Sequence, residues 1–403
     1  MLLIVIRIAE IAARALFTIG VTYALPLAEA GRFGILATLI GLSAFAFGWE
    51  RHIDIQRRLA NADPGAFDNA FLNALKMYAF NWLWLAPLLF ALAMAWTGIG
   101  PSLAAGIVAI AVAEQLSNQL YNLALVERRY TAALLAGALR NLALIAGLAL
   151  VLTGPGVPLT LELIIVSWAV ASLAGVVLGA LVWTVTTRGP RPPGEALSIR
   201  NQLTRSATHF TIGLLAILVL QVDRLAVAAF LSLEEVGTYF RHVLVVSFAY
   251  QLSNIAFYNR ALPGVFAAAP THSTRALARR VLSRAGVTLA VIALGAAGAF
   301  ALNLASGRVV EDRFDLSPLL AAALLGGAML RIAADFLSLV LNARMRERVI
   351  LANQFAAFVF GVAALALLAN LYGVLGAALA TIVTACVYLV LNARAVRVLP
   401  PAA

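Results

Sequence analysis

The chain has 403 residues, of which 63% are hydrophobic and 12% are charged, and its formal net charge is +11. Soluble domains are about half apolar and a quarter charged, so this composition indicates a membrane protein. One cysteine and four scattered histidines exclude a disulfide framework and leave no spacing for a metal site. The single lysine lies in no glycine-rich loop, which excludes the ATP-binding P-loop motif.

Twelve stretches of roughly 20 apolar residues are long enough to cross a bilayer as helices. They lie near residues 2–24, 33–49, 77–97, 102–125, 131–153, 160–184, 206–230, 237–257, 285–304, 317–341, 349–369 and 373–393. We therefore predict an all-α polytopic membrane protein with about twelve transmembrane helices. Charges at positions 7, 10 and 14 interrupt the first stretch, so we predict a retained helix and not a cleaved signal sequence.

Basic residues are distributed unevenly between the two sides of this predicted topology. With the N-terminus inside, the cytoplasmic segments hold 20 arginine and lysine residues, and the opposite side holds 3. Cytoplasmic loops of membrane proteins carry such an excess, so both termini are predicted to face the cytoplasm. This bias, with the attraction of arginine to anionic lipid, accounts for the net charge, and no nucleic-acid partner is predicted.

A short sequence near the N-terminus recurs half a chain later. Residues 25–33 match residues 231–239 at an offset of 206 positions. The matched pairs are Leu25/Leu231, Leu27/Leu233, Glu29/Glu235, Gly31/Gly237 and Phe33/Tyr239. A weaker match joins the stretch after Leu120 to the stretch after Leu337. Repeats of this kind indicate an internal duplication.

Six predicted helices in each half return the chain to the side from which it started. The two repeats are therefore parallel, as in several transporter folds. We predict an N-terminal six-helix lobe at residues 1–185, a cytoplasmic linker at 186–205 and a C-terminal six-helix lobe at 206–403. The linker contains a proline-rich, semi-rigid stretch at 189–194.

Ten charged residues lie inside the predicted helices. They are Arg7, Arg14, Arg140, Arg224, Arg241 and Arg331, with Glu10, Glu114, Asp223 and Asp335. Each such charge costs about 2.5–3.5 kcal/mol at the bilayer centre on insertion scales. Most of them must therefore pair with each other or line a water-filled cavity.

The first predicted helix presents charges of both signs on one face. Arg7, Glu10 and Arg14 are three and four residues apart, which places them within roughly 60° of one another on a helix. This pattern predicts a cavity wall that binds an anion, with Glu10 as a proton acceptor. The alternative is that Arg7 and Glu10 only mark the cytoplasmic interface.

The later charges allow either transport or structural roles. Asp223 and Arg224 diverge by about 100° and need separate partners; Arg241 is a candidate for Asp223, and a structural ion pair is the alternative. Glu114 is a candidate site for a coupling proton, and the alternative is a hydrogen bond between helices. Asp335 shares a helix face with Arg331.

A basic stretch at residues 270–284 follows the eighth predicted span. Four arginines alternate there with apolar residues, which predicts an amphipathic helix on the inner leaflet. The alternative is an ordinary basic loop.

Three of these segments resemble one family. The Asp223-Arg224 pair followed by residues 231–239, the Leu-x-Leu-x-Glu-x-Gly-x-Phe turn at 25–33, and residues 372–381 are similar to signatures of the multidrug/oligosaccharidyl-lipid/polysaccharide (MOP) exporter superfamily. Within it the chain is most similar to the Wzx-type flippases of polysaccharide assembly. The resemblance implies two six-helix lobes with alternating access.

The resemblance also implies a function. A Wzx-type flippase moves a polyprenyl-diphosphate-linked oligosaccharide from the inner to the outer leaflet, in a bacterial inner membrane, as a non-enzyme without a cofactor or catalytic residue. We expect a monomer, with lipid-linked oligosaccharide, membrane lipid and polysaccharide polymerase machinery as partners. The expected substrate-binding residues are Arg7, Arg14, Arg224 and Arg241, and the expected ion-coupling residues are Glu10, Glu114, Asp223 and Asp335.

Other classes remain as alternatives. A drug exporter of the toxic-compound extrusion type also has twelve helices, but it favours acids and aromatics in its cavity, whereas here buried arginines outnumber buried acids six to four. A lipid II flippase typically has two further helices. A major-facilitator transporter has a loop motif that residues 48–58 do not match. A membrane enzyme of glycan assembly is the alternative from another class, and the outer loops are too short for its external domain.

Overall fold

The computed structural model describes residues 2–52, 66–126, 159–186, 198–253, 257–269, 271–306 and 317–398, together with Ile55 and isolated positions between 137 and 149. These ranges form eleven α-helices. They are α1 (Leu2–Ala24), α2 (Leu27–Gly48), α3 (Ala66–Thr97), α4 (Pro101–Val126), α5 (Leu161–Thr186), α6 (Ile199–Phe230), α7 (Leu233–Ser253), α8 (Asn259–Ala268), α9 (Thr274–Ser306), α10 (Pro318–Ala343) and α11 (Glu347–Val398).

Most of these helices have membrane-spanning length. Eight of them, within the ranges given above, are long and apolar enough to cross a bilayer. Each predicted span has a helix at its place, except the span at 131–153, which lies outside the described residues apart from isolated helical positions. The predicted spans at 349–369 and 373–393 are both contained in α11.

Several helices begin earlier than the apolar pattern predicts. Helix α2 begins at 27 instead of 33, α3 at 66 instead of 77, and α9 at 274 instead of 285. An apolar stretch locates only the part of a helix inside the hydrocarbon, whereas the main-chain hydrogen bonds of a helix continue into the polar layer. The predicted amphipathic helix at 270–284 is corrected for this reason, because residues 274–284 are the first turns of the spanning helix α9.

Helix α11 is broken in the middle. At Gly373 the backbone has φ 57° and ψ −135°, a conformation that glycine adopts easily because it has no Cβ. The break lies between the two predicted spans. It lets a 52-residue helical segment serve as two membrane crossings joined by a minimal turn.

The chain divides into two compact units, residues 1–214 (unit 1) and residues 215–403 (unit 2). Helix α6 begins in unit 1 and continues without interruption into unit 2. Residues 199–205 of the predicted linker are therefore helical. The domain boundaries at 185 and 205 stay predictions.

The first turn of unit 1 and its copy in unit 2 have the same structure. In both copies two residues separate the end of one helix from the start of the next. Phe33 and its counterpart Tyr239 are both 1% exposed. Equivalent main-chain hydrogen bonds close the turns: Leu25 N–H to Val21 O (3.0 Å) and Leu231 N–H to Val227 O (2.9 Å), then Ala30 N–H to Pro26 O (2.8 Å) and Val236 N–H to Ser232 O (2.9 Å).

Helices α4 and α10 form a second matched pair. Both have 26 residues, and both begin with a proline, Pro101 and Pro318, at an offset of 217 positions. Proline suits the first position of a helix because its missing N–H has no partner there. The same offset places Arg331 of α10 at the position that Glu114 has in α4, so the duplicated site carries opposite charges.

In unit 2, α10 packs against the second half of α11 through glycine. A Cβ at Gly327 would lie 2.5 Å from the hydroxyl oxygen of Thr381 and 3.3 Å from the main chain of α11. A Cβ at the neighbouring Gly326 would meet only the end of the Ile382 side chain, at 3.9 Å. One glycine is therefore required by the close approach of the two helices, and the other is not.

In unit 1, the end of α2 holds the start of α6. The indole of Trp49 stacks on Phe210 with ring centroids 3.8 Å apart, and its Nε1–H donates to the carbonyl oxygen of Leu203 at 3.2 Å. Gln202 adds a hydrogen bond to the carbonyl oxygen of Asn73 on α3, at 3.2 Å. These contacts fix the first turns of α6 within unit 1.

We predict opposite effects for two adjacent glycine substitutions. Gly327→Ala should destabilise the protein by about 1–3 kcal/mol, because overpacking forces a backbone shift. Gly326→Ala should leave stability unchanged or raise it by up to about 1 kcal/mol, because alanine is the better helix former. Thermal unfolding of the two purified variants checks this, and equal losses would contradict the predicted packing.

Candidate functional site

In unit 1, two of the predicted site residues meet. Arg14 of α1 donates from Nη1 to Oε2 of Glu114 on α4, at 3.0 Å. The glutamate side chain is 2% exposed and the arginine side chain is 42% exposed. The other carboxylate oxygen, Oε1, accepts a hydrogen bond from Trp168 Nε1 at 3.3 Å. The buried acid is thus held on both oxygens, and the arginine remains accessible.

Trp168 of α5 connects this pair to the helix packing around it. Its ring contacts Phe17 of α1 edge to face at 6.0 Å and Phe33 of α2 at 5.9 Å. Aromatic pairs at such separations stabilise packing beyond the area they bury. One tryptophan therefore orients the Glu114 carboxylate and packs against two neighbouring helices.

In unit 2, a cavity of about 230 Å³ lies among α6, α7, α10 and α11. Apolar and small side chains form most of its wall. Its charged lining residues are Asp223 and Arg224 of α6 and Arg331 of α10, and hydroxyl and amide groups come from Ser247, Tyr250, Thr381, Thr384, Gln221 and Gln251. The lining holds two guanidinium groups and one carboxylate.

Asp223 and Arg224 bond to different partners, as their divergence on the helix predicts. The Tyr239 hydroxyl donates to Oδ2 of Asp223 at 2.6 Å. Arg224 donates from Nη2 to Oγ of Ser247 at 2.7 Å, and its guanidinium carbon lies 5.7 Å from the centre of the Phe240 ring. Both side chains are thus tied to α7.

Arg331 and Asp335 form an ion pair one turn apart on α10. The Nε of Arg331 donates to both carboxylate oxygens, at 3.1 and 3.3 Å. The Tyr250 hydroxyl donates to Oδ2 of the same carboxylate at 2.5 Å, and the guanidinium carbon lies 4.5 Å from the centre of the Tyr388 ring. The shared face of Arg331 and Asp335 is confirmed.

The predicted roles of the remaining site residues are not tested by the described contacts. Arg140 and the side chains of Arg7 and Glu10 lie outside the described residues. Arg241, on α7, is partly buried and has interactions of its own; its pairing with Asp223 stays a prediction. No group of three or more metal-binding side chains occurs in the described part of the chain.

Sequence reasoning missed the neutral partners of the acids. Trp168 and Tyr250 lie in apolar helices far from Glu114 and Asp335 in the chain, and Tyr239 entered only as part of the repeat. Only a general expectation could be drawn from the sequence. A buried carboxylate needs hydrogen-bond donors, and the tyrosine and tryptophan side chains of apolar helices can supply them. Which of them reaches which acid depends on helix packing.

Another pair of ionisable residues follows the end of α2, outside the membrane-spanning segments. Nδ1 of His52 lies 3.6 Å from Oε2 of Glu50. Burial raises the pKa of Glu50 to about 7 and lowers the pKa of His52 to about 4. Between these values both groups are neutral, so the contact is not an ion pair near pH 6.

Comparison with known proteins identifies the architecture. No model of a known family matches the chain, and no curated protein matches it in sequence. Solved structures do match: the lipid II flippase MurJ, in an inward closed conformation, has a TM-score of 0.72 and 12% identity, covering 99% of this chain and 88% of that protein. An inward-facing multidrug resistance transporter of the MATE family has a TM-score of 0.66 and 16% identity, covering 96% and 94%.

This chain has the fold of the MOP superfamily. A MOP superfamily transporter from Pyrococcus furiosus also matches, with a TM-score of 0.56 and 13% identity over 98% of this chain and 94% of that one. The MOP fold confirms the prediction of an all-α polytopic membrane protein with about twelve helices in two parallel six-helix repeats. This fold agrees with the resemblance drawn from the short motifs.

The two acid–tyrosine pairs should differ in how much stability depends on the tyrosine hydroxyl. Tyr239→Phe removes the side-chain donor that Asp223 has in the structure and should cost about 1–3 kcal/mol of stability. Tyr250→Phe should cost less, because Asp335 keeps both contacts to Arg331. Thermal unfolding of the two variants measures the difference, and a larger loss for Tyr250→Phe would contradict the assigned partners.

Glu50→Gln should stabilise the protein at alkaline pH. The pKa of Glu50 is raised in the folded state, so stability is lost as pH rises from the unfolded pKa near 4.5 through about 7. At pH 8 the buried carboxylate costs on the order of 3 kcal/mol, and glutamine removes that cost. Melting temperatures at pH 5 and pH 8 check this; a gain present at both values would point to another cause.

Proposed function

We propose that this protein is a Wzx-type flippase of the MOP superfamily, which moves a polyprenyl-diphosphate-linked oligosaccharide from the inner to the outer leaflet for polysaccharide assembly. The observation that supports this most is the presence of two guanidinium groups, Arg224 and Arg331, in the wall of the unit 2 cavity. Asp335 balances the charge of Arg331, but Nε of Arg224 and Nη1 of Arg331 have no hydrogen-bond partner among the described residues. Such a lining favours an anionic ligand.

Guanidinium groups suit a diphosphate in shape as well as in charge. The planar fork of arginine donates two parallel hydrogen bonds to phosphate oxygens. In unit 1, Arg14 uses one nitrogen for Glu114 while its side chain is 42% exposed, which leaves donors for a ligand. We assign Arg7, Arg14, Arg224 and Arg241 to contact with the diphosphate or with a sugar phosphate.

We assign ion coupling to Glu10, Glu114, Asp223 and Asp335, and Asp223 is the strongest candidate among them. Its described side-chain partner is the neutral hydroxyl of Tyr239, whereas Asp335 is held by Arg331 and Glu114 by Arg14. A carboxylate without a tethered cation can exchange a proton or a metal cation at the lowest cost.

The proposed setting follows from the same function. The chain acts as a monomer in a bacterial inner membrane, with both termini in the cytoplasm, beside the polysaccharide polymerase machinery. It performs no covalent chemistry and needs no cofactor. The arginine excess on the side assigned to the cytoplasm orients it there.

The proposal is tested in a deletion strain fed with a radiolabelled sugar precursor. An impermeant glycan-modifying reagent reports which leaflet holds the lipid-linked oligosaccharide. We expect inward-facing substrate to accumulate, and the wild-type gene but not Arg224→Ala to relieve it. Ser247→Ala serves as a matched control, because it removes a partner of the arginine and leaves the positive charge; it should retain most of the activity.

Normal export in a strain without a second flippase gene would overturn the proposal. A drug exporter of the toxic-compound extrusion type would then be the leading alternative, since a MATE family transporter shares the fold. Sensitivity of the deletion strain to cationic drugs, relieved by the wild-type gene, distinguishes the two functions. A membrane enzyme of glycan assembly would instead change the oligosaccharide itself.

A further inference from the structure

One end of unit 2 carries a concentration of exposed arginines that the proposed transport function does not use. We call it the basic end. Three of the arginines lie in the first turns of α9, two flank the start of α11 and two lie near the end of α11. They are Arg275, Arg279, Arg280, Arg346, Arg348, Arg394 and Arg397, and all are exposed.

The segments that carry these arginines pack on one shared core. The apolar sides of the three segments share a buried cluster that includes Leu277, Ile350 and Val396. Arg344 ties two of the turns together, donating from Nη1 to the carbonyl oxygen of Ala269 at 3.0 Å and from Nη2 to that of His272 at 2.6 Å. Glu347 is the one acid in segments 274–284, 344–348 and 392–398.

The length of α9 places the basic end at a membrane surface. The helix has 33 residues and spans about 50 Å at 1.5 Å per residue. From Ala285 to Ser306 it holds no charged residue, and these 22 positions span about 33 Å, the thickness of a hydrocarbon core. The turns that carry Arg275, Arg279 and Arg280 therefore lie in the headgroup layer and beyond it.

In the first copy of the repeat, the corresponding helix α3 is less basic in its first turns. The first eleven residues of α3 contain one basic residue, Lys76, whereas the first eleven residues of α9 contain four, Arg275, Arg279, Arg280 and Arg284. A strongly basic start of this helix is therefore not a requirement of the duplicated fold.

The positions of the arginines are unfavourable without an anion. The N-terminus of a helix carries a partial positive charge that disfavours nearby cations, and both α9 and α11 begin at the basic end. Bound anions would relieve the repulsion among the arginines and at both helix ends. The exposed apolar side chains of Leu282, Met345 and Val398, at 44%, 77% and 76%, suit a surface that also meets lipid.

We propose that the basic end binds the phosphate headgroups of anionic glycerophospholipids. Arginine side chains there extend along the apolar surface and place their guanidinium groups at headgroup level, where each basic residue adds to the attraction of an anionic leaflet. The lipids hold the α8–α9 turn and the α10–α11 turn together from outside. This proposal is independent of the transported substrate.

The test compares two matched pairs of exposed arginines in the full-length protein. Arg275 and Arg280 are the second and seventh residues of α9, and Arg200 and Arg205 are the second and seventh residues of α6. The variants are R275Q/R280Q, its charge-preserving counterpart R275K/R280K, and the control R200Q/R205Q. Thermal unfolding in neutral detergent is followed while phosphatidylglycerol, phosphatidylcholine or free glycerol phosphate is added.

We expect phosphatidylglycerol to raise the melting temperature of the wild type, and phosphatidylcholine and glycerol phosphate to leave it unchanged. R275Q/R280Q should need at least about five times more phosphatidylglycerol for half of the effect, whereas R275K/R280K and R200Q/R205Q should change the requirement less than twofold. Equal changes in the two glutamine variants would overturn the site. Stabilisation by free glycerol phosphate would show that the site binds a soluble phosphate and not a lipid. Equal stabilisation by the two lipids would overturn the lipid proposal and would favour an acidic partner protein.

Discussion

The organisation of both units depends on one constraint: a charge placed inside an apolar helix must find a partner on a neighbouring turn or helix. In unit 1 this condition joins α1, α4 and α5 through Arg14, Glu114 and Trp168. In unit 2 it joins α6 to α7 at Asp223, and α7 to α10 at Asp335. An apolar helix gains no hydrophobic free energy by leaving lipid tails for another apolar helix. These few polar contacts therefore decide which helices face each other.

Much of this architecture can be predicted from the sequence, because its signals are long or repeated. Apolar stretches of membrane length located the spans, and the match of residues 25–33 to 231–239 located the duplication, since a repeat must conserve its turn. The predicted positions of the helix ends are less accurate. Apolar sequence marks only the part of a helix inside the hydrocarbon, whereas the main-chain hydrogen bonds of the helix continue beyond it. The neutral partners were not predictable: helical periodicity gives the direction of Glu114 but not the helix that Trp168 brings against it.

In the candidate site, contacts within one helix can also be predicted from the sequence, whereas contacts between helices cannot. The separation of Asp223 from Arg224 on the helix surface follows from 100° per residue and is present in the structure. The ion pair of Arg331 and Asp335 also follows from spacing along a single helix. The bond between Arg14 and Glu114 spans 100 positions of sequence, and only the packing of α1 near α4 brings it about. Spacing along one helix therefore predicts which charges share a face, whereas pairs between helices depend on the fold.

The opposite charges at Glu114 and Arg331 mean that the two halves of this chain have ceased to be interchangeable. A protein assembled from two copies of the first half would carry a glutamate at both equivalent positions and no guanidinium on α10. One assembled from two copies of the second half would carry an arginine at both positions and would contain neither Glu114 nor Arg14. Duplication within one chain thus allows each half to acquire charged side chains that two identical subunits would have to share.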